Sequence, residues 1–532
     1  MKEDIKKLVN TKQVFTLLCI IFFAVALRVI FFVGIGFNDD SYYLEFAERI
    51  YKGLEFRPTK YVWSVRVGVY LPVVLSWKIF GISEFSTSLF FLLYSIGVVL
   101  MTYFIGKELF NERVGLVASL LISVFPLDVI YSTQVGPDLP FQLFSAAAVL
   151  FFLKSYKFSK GYKIYSFLAG LFLGIAYIFK EMVFLVLVSF GFYILCDMIV
   201  NKKSFAFLIN RKLIIAFLIF FIGISLVHFA QNVYLYNLTD EWFFGEKAKE
   251  WTLKHDGNKN DDFTVYPRAM LNREENRFRW IHSKPLLGFI YYFVVIGIVI
   301  LILRRKLCKN NLFLIFWLTA LFLFFQYGLH FVSTVIIDDG MRPRHLRFLI
   351  PMSVPAALII AQSFDFGNRK FQLIKVLLLM FMFLSSIYYI NQSKTFLRNG
   401  MGYLRESVNY LVSLTPKKVY VPDFWTISKF KFFSGYNDDF VKSLVVYECN
   451  AINCESSFYD RGEYINGAYI VTFVNPYTYI NTKRTSKKIY PSFMTSPPPH
   501  WKLLKTIHLK NYGIFNEFEP KIYYANKTPE QF

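Results

Sequence analysis

The sequence predicts a mostly α-helical, polytopic membrane bundle followed by a soluble C-terminal domain, and three observations predict it. Of 532 residues, 55% are hydrophobic and 20% aromatic, with a mean hydropathy of +0.41. A water-soluble globule of that size would lack the polar side chains to cover so much apolar surface. Apolar runs near the ~20 residues that cross a bilayer recur as far as residue 391. The segments between those runs alternate in charge, as loops on the two sides of a membrane do.

The apolar runs place spans near 14–36, 86–106, 114–131, 139–153, 164–179, 182–199, 213–233, 286–303, 312–332, 346–363 and 371–390. That makes a bundle of about 11 transmembrane helices over a domain of residues 1–391. Residues 154–163 hold four Lys and no acid, 201–212 hold four basic residues and no acid, and 304–309 repeat the pattern with "RRKLCK". Loop 234–284 instead balances nine acidic against nine basic residues, and 37–60 has five acidic and four basic. The positive-inside rule then puts the first set and the N-terminus in the cytoplasm and the second set outside the plasma membrane. A basic start, an apolar core and the small residues Ala24 and Ala26 also fit a cleaved signal peptide. The apolar run continues through Ile30 to Phe37, however, so a retained first span is expected.

Residues 392–532 form the second domain, expected outside the membrane. "KKVYVPDFW", "AYIVTFV" and "KIYYA" have the β-branched and aromatic make-up of strands, and "YLRESVNYLVSL" has helical spacing. Together they predict a small α/β or α+β fold. Its charge is +7, from 18 basic and 11 acidic residues, which suits an anionic lipid surface or an acidic ligand. The whole chain carries +22, yet no zinc-finger, RRM or helix-turn-helix pattern accompanies it, so nucleic acid is not an expected partner. Cys449 and Cys454 ("CNAINC") are either a small disulfide loop, if the domain is exported, or two free thiols.

Charged groups at the margins of spans cost free energy unless they meet a partner or a wet cavity, and four clusters stand out. Asp39 and Asp40 follow the first span; they could act as a general base or cap the next helix. That helix aligns Tyr43, Phe46, Ala47, Ile50 and Tyr51 on one stripe, as an interfacial helix would. Asp138 opens an apolar run and could equally be an N-cap. Lys180 and Glu181 separate two spans, as functional groups or as a solvated turn. Arg342, Arg344, His345 and Arg347 crowd the start of a span on the external side. Guanidinium groups there could bind a lipid-linked phosphate or simply snorkel to headgroups.

In this order the clusters resemble the GT-C superfamily of integral membrane glycosyltransferases, in its branch of protein O-mannosyltransferases and lipid A aminoarabinose transferases. Those enzymes carry an Asp-Glu pair after the first span, then Tyr and an Ala-containing helix; Asp39, Asp40, Tyr43 and Ala47 match, with Asp40 in place of Glu. "LAGLFLGIAYIFK" is similar to the Gly-rich span that ends in Lys. "RHLRFLIPMSVPAALIIA" is similar to the Arg-Tyr-x-x-x-Pro segment, with Phe348 in place of Tyr. The likeness runs over residues 14–365, and no "WWDYG" block is present, which disfavours transfer to Asn sequons.

The resemblance implies transfer of a sugar from a polyprenyl-phosphate donor to a protein, lipid or glycan acceptor at the outer face, with inversion. It implies Asp39, Asp40 and Asp138 as catalytic carboxylates, with Asp39 as base. Lys180, Arg347, Arg344 and His345 would hold the donor phosphate, and Tyr43 and Arg66 would line the acceptor cavity. No obligatory metal or other cofactor is expected, although the three Asp could meet on a divalent cation. The competing reading is a transporter or flippase for lipid-linked saccharides, which would also need intramembrane charges.

Overall fold

The computed structural model describes residues 11–36, 40–59, 61–204, 208–258, 288–303, 308–327, 346–364, 372–421, 424–446, 465–472, 497–508 and 521–525. Two compact units emerge. One comprises Met1–Gly34 with Phe46–Lys394, the other Ile35–Glu45 with Thr395–Phe532. The short segment after the first span, which includes Asp40, thus groups with the C-terminal residues.

Among the described residues of the first unit, seven helices are long and apolar enough to cross a membrane: Gln13–Ile30, Glu84–Leu109, Asp138–Tyr156, Tyr162–Phe179, Glu181–Val200, Arg211–Thr239 and Gln372–Thr395. Four shorter apolar helices accompany them: Val67–Phe80, Ile290–Leu303, Lys309–Phe322 and Leu349–Phe364. The helices depart from the spans read in the sequence in several places, beginning with the first, which ends at Ile30 and not at residue 36. The run 114–131 is two helices, Glu112–Ser123 and Pro126–Tyr131, because Pro126 has no N–H to continue the first and takes the first helical position of the second. Val67–Phe80 is an additional helix, tolerating Pro72 in its interior.

Close backbone approach fixes the bundle where glycines face each other. A Cβ on Gly170 would lie 1.9 Å from the Phe220 carbonyl oxygen, and one on Gly223 would lie 2.6 Å from that of Phe167. Helices Tyr162–Phe179 and Arg211–Thr239 therefore meet backbone to backbone, as small residues permit in lipid. At the far end of Asp138–Tyr156, the Tyr156 hydroxyl donates to Asp197 Oδ2 at 2.7 Å. Lys203 and Lys309, from two of the basic loops, pair with the same carboxylate at 2.5 and 2.6 Å.

The second unit carries a five-stranded sheet of order β2-β1-β3-β5-β4, with β1 Val419–Val421, β2 Leu444–Val446, β3 Ala468–Thr472, β4 Lys502–Thr506 and β5 Lys521–Ala525. β1 runs parallel to β2 and β3, and β5 runs antiparallel to β3 and β4. Parallel β1 and β2 need a crossover, which helices Phe424–Phe433 and Asp438–Ser443 supply. Val421, Phe430, Val471 and Ile522 form the centre of its apolar core. The helical segment "YLRESVNYLVSL" is, up to Val412, the last part of one 41-residue helix, Gln372–Val412, not a separate element.

Candidate active site

Helix Asp138–Tyr156 starts on Asp138, with Pro137 as N-cap and no capping side chain. Asp138 is therefore not the N-cap that its position in the sequence allowed. Its carboxylate forms an ion pair with Lys180, and both side chains are only 4–5% exposed. Lys180 itself ends helix Tyr162–Phe179 in extended conformation, after which Glu181–Val183 makes a 3-10 turn. Successive side chains on extended backbone point to opposite sides, and Lys180 and Glu181 find separate partners. Glu181 takes a fork from Arg66, with Nη2 at 2.9 Å from Oε2 and Nε at 3.3 Å from Oε1. The solvated-turn explanation of Lys180-Glu181 fails, because Lys180 is buried and both residues are bound across the unit.

Arg66 sits at the break between the short helix Val62–Val65 and Val67–Phe80. Around its pair with Glu181 lies a second layer that sequence reasoning missed. Lys249 Nζ donates to the Tyr177 hydroxyl at 2.5 Å and stands 3.9 Å above the ring centroid. Tyr177 donates to Glu246 Oε1 at 3.3 Å. Burial pushes the Lys249 ammonium below its ordinary range, while Glu181 and Glu246 pull it back up and Arg66 pushes it down. The loop's balanced charge hid these residues. The available signal was the amphipathic start "FGEKAKEW" of helix Phe244–Asn258.

In the second unit Asp40 is the first residue of helix Asp40–Tyr51. Its Oδ2 accepts from the Gly36 N–H at 2.8 Å and its Oδ1 pairs with Lys429 Nζ at 2.8 Å. Tyr43, expected to line the acceptor cavity, is completely buried. Arg347 lies in the 3-10 segment Leu346–Met352, where Pro351 delays the regular helix to Ser353–Phe364. Asp39, Arg344, His345, Cys449 and Cys454 lie outside the described residues.

No group of three or more His, Cys, Asp and Glu side chains suited to a metal occurs among the described residues. Asp40 and Asp138 each already hold an ammonium. A hard divalent cation needs several free oxygen ligands, so these two carboxylates do not fit one as they stand.

Residues 69–226 match the family described as dolichyl-phosphate-mannose-protein mannosyltransferase. An uncharacterized protein of Aquifex aeolicus is 24% identical over 126 residues, which is 22% of this chain and 25% of that relative. The fold is similar to ArnT from Cupriavidus metallidurans in its crystal structure bound to undecaprenyl phosphate. The TM-score is 0.53 at 11% identity, over 97% of this chain and 98% of that one. It is also similar to the Archaeoglobus fulgidus oligosaccharyltransferase in complex with zinc and sulfate, with a TM-score of 0.51 at 13% identity. That match covers 81% of this chain but only 62% of the archaeal protein. The resemblance read from the sequence stands: the chain has the fold of the GT-C superfamily of integral membrane glycosyltransferases.

Proposed function

We propose that the chain is a glycosyltransferase that moves a sugar from a polyprenyl phosphate to a hydroxyl acceptor at the outer face of the cell membrane. In this reading Asp39 accepts the proton of the acceptor hydroxyl as its oxygen bonds to the anomeric carbon. The bond from that carbon to the phosphate oxygen breaks on the opposite face, the configuration inverts, and polyprenyl phosphate leaves with the bonding pair. Lys180, together with Arg347, Arg344 and His345, balances the charge that develops on the phosphate. Arg66 serves the acceptor side. The N-terminus is cytoplasmic and residues 392–532 are external.

The observation that carries the proposal is the buried Asp138–Lys180 pair within the residues that match the mannosyltransferase family. A lysine so buried is already stripped of water, so a phosphate brought to it would meet an ammonium that has no hydration shell left to lose, with Asp138 still beside it. The fold shared with an undecaprenyl-phosphate-bound protein supports the same donor class. The binding of Lys180 into a specific pair favours this over the flippase, whose substrate headgroup would have to slide past the site.

The test is full-length protein in liposomes supplied with a panel of undecaprenyl- and dolichyl-phosphate hexoses and with serine peptides, lipids and glycans as acceptors. At least one donor should release its polyprenyl phosphate with transfer of sugar, and Asp39→Asn should lower that rate by about 10³-fold or more, the scale of losing a general base. Movement of intact lipid-linked sugar across the bilayer without transfer would establish the flippase instead.

A further inference from the structure

The adjacent acids Asp39 and Asp40 look interchangeable in the sequence, but the surroundings of Asp40 are those of a structural ion. Its side chain is 1% exposed, that of Lys429 is 3% exposed, and the two lie 2.8 Å apart within one unit, 389 positions distant in sequence. The second carboxylate oxygen is taken by the Gly36 N–H. Two further bonds bring the same stretch of chain together: Ser428 Oγ donates to the Ser41 carbonyl at 3.3 Å, and the Tyr436 hydroxyl donates to that of Leu44 at 3.4 Å. Lys429 lies on helix Phe424–Phe433, where Ser428, Phe430 and Phe432 are also buried.

A general base must present a lone pair to the proton it removes. Asp40 presents its oxygens to an ammonium and a backbone N–H, in a place almost closed to solvent. Conversely, Lys429 is an ammonium removed from water, and the Asp40 carboxylate sets a negative charge beside it. We infer that Lys429 is a positioning residue that locks Asp40, so that Asp40 fixes the start of helix Asp40–Tyr51 and is not the base. This rests on the proposed transfer reaction and sharpens it, because it divides the labour between the two acids. It also explains in advance why an Asp40 variant would lose activity: the loss would come from the broken Asp40–Lys429 contact, not from missing proton transfer.

The two causes separate in a cycle of Asp40→Asn, Lys429→Met and the double variant, made in the full chain and studied in lipid nanodiscs. Hydrogen exchange at residues 41–45 should speed up by about 10-fold or more in each single variant and return to within about 3-fold in the double variant, the pattern of a directly coupled pair. Donor turnover should fall by about 10²-fold in Asp40→Asn and recover to within about 10-fold when Lys429→Met is added, with the wild-type pH–rate profile. Unchanged exchange in both single variants would overturn the lock. A double variant with normal exchange that remains inactive would overturn the assignment and make Asp40 a chemical participant. Should wild type itself turn over no donor, the transfer reaction fails, whereas the exchange cycle still decides the lock.

Discussion

Lys180 and Asp138 stand 42 positions apart in sequence and form one ion pair, each side chain at most 5% exposed. Removing one partner of such a pair leaves an uncompensated charge in a low dielectric, at a cost of about 3–5 kcal/mol. Lys180→Met should therefore lower the thermal unfolding midpoint of the detergent-solubilised protein markedly. Adding Asp138→Asn should restore most of the loss, since neither charge then remains. A single variant as stable as wild type would show that the pair carries no such burden. On the proposed function both variants lose donor turnover, so stability and activity should part company in the double variant.

The glycine contact between two helices gives a second prediction. Gly170→Ala would put a methyl group 1.9 Å from a backbone oxygen on helix Arg211–Thr239, which cannot move aside without moving the helix. Overpacking of this kind costs about 1–3 kcal/mol where side chains can shift, and more is expected against backbone. Gly191 is the control. It lies inside helix Phe184–Val200, and a methyl group added there would meet nothing within 4 Å. Gly191→Ala should be neutral or stabilising by about 0.5–1 kcal/mol, from helix propensity. Thermal unfolding of both variants checks the contrast, and equal behaviour would contradict the backbone contact.

Much of the bundle was legible because lipid demands long apolar runs, and such runs survive in a one-dimensional reading. The break at Pro126 was readable too, but the apolar residues on both sides hid it. Strands β1, β3 and β5 showed in "KKVYVPDFW", "AYIVTFV" and "KIYYA". β2, three residues at one edge of the sheet, and β4, a partly exposed strand at the other edge whose "KLLKT" has no alternating apolar pattern, escaped. The candidate site was legible as a set of charged residues in apolar surroundings, which is how Asp138 and Lys180 were found, whereas Arg66 came only from the family resemblance. Their partners were not legible. Whether Asp40 meets Lys429, or Arg66 meets Glu181, depends on contacts between residues 389 and 115 positions apart. Nothing in local spacing encodes those pairings.

The half-buried lysine of the second layer predicts a pH dependence. Lys249 has its folded-state pKa lowered from 10.5 by burial, against the pull of Glu181 and Glu246. Between the lowered value and 10.5 the unfolded chain binds more protons than the folded one, so stability rises with pH in that window. Below the window the penalty is present in full. Lys249→Met removes the titrating group and keeps the aliphatic stem. The variant should be at least as stable as wild type at neutral pH, and its advantage should shrink as pH climbs towards 10.5. Unfolding midpoints followed from pH 7 to about pH 10, below the ordinary lysine value, would show it. A wild-type advantage that grows on acidification would reverse the sign and refute the desolvation argument.

The ion pairs at opposite ends of one helix also predict which loops share a side of the membrane. Asp138 begins and Tyr156 ends the same 19-residue helix, a length of about 28 Å at ~1.5 Å per residue, close to the hydrocarbon thickness of ~30 Å. Asp138 binds Lys180 at one end, and Tyr156 binds Asp197 at the other. Lys203 and Lys309 reach Asp197 from loops that are purely basic, so both loops belong to the Tyr156 end. Tyr177, three residues before Lys180, carries Lys249 and Glu246 at the Asp138 end. Under the positive-inside rule the Tyr156 end faces the cytoplasm. Cys308, which is exposed beside Lys309, should then be out of reach of a membrane-impermeant maleimide on intact cells and react only after permeabilisation. In a variant lacking the native cysteines, Lys247→Cys, at a position whose side chain is 63% exposed, should react on intact cells. The opposite labelling would put the candidate active site in the cytosol and remove the external acceptor from the proposed reaction.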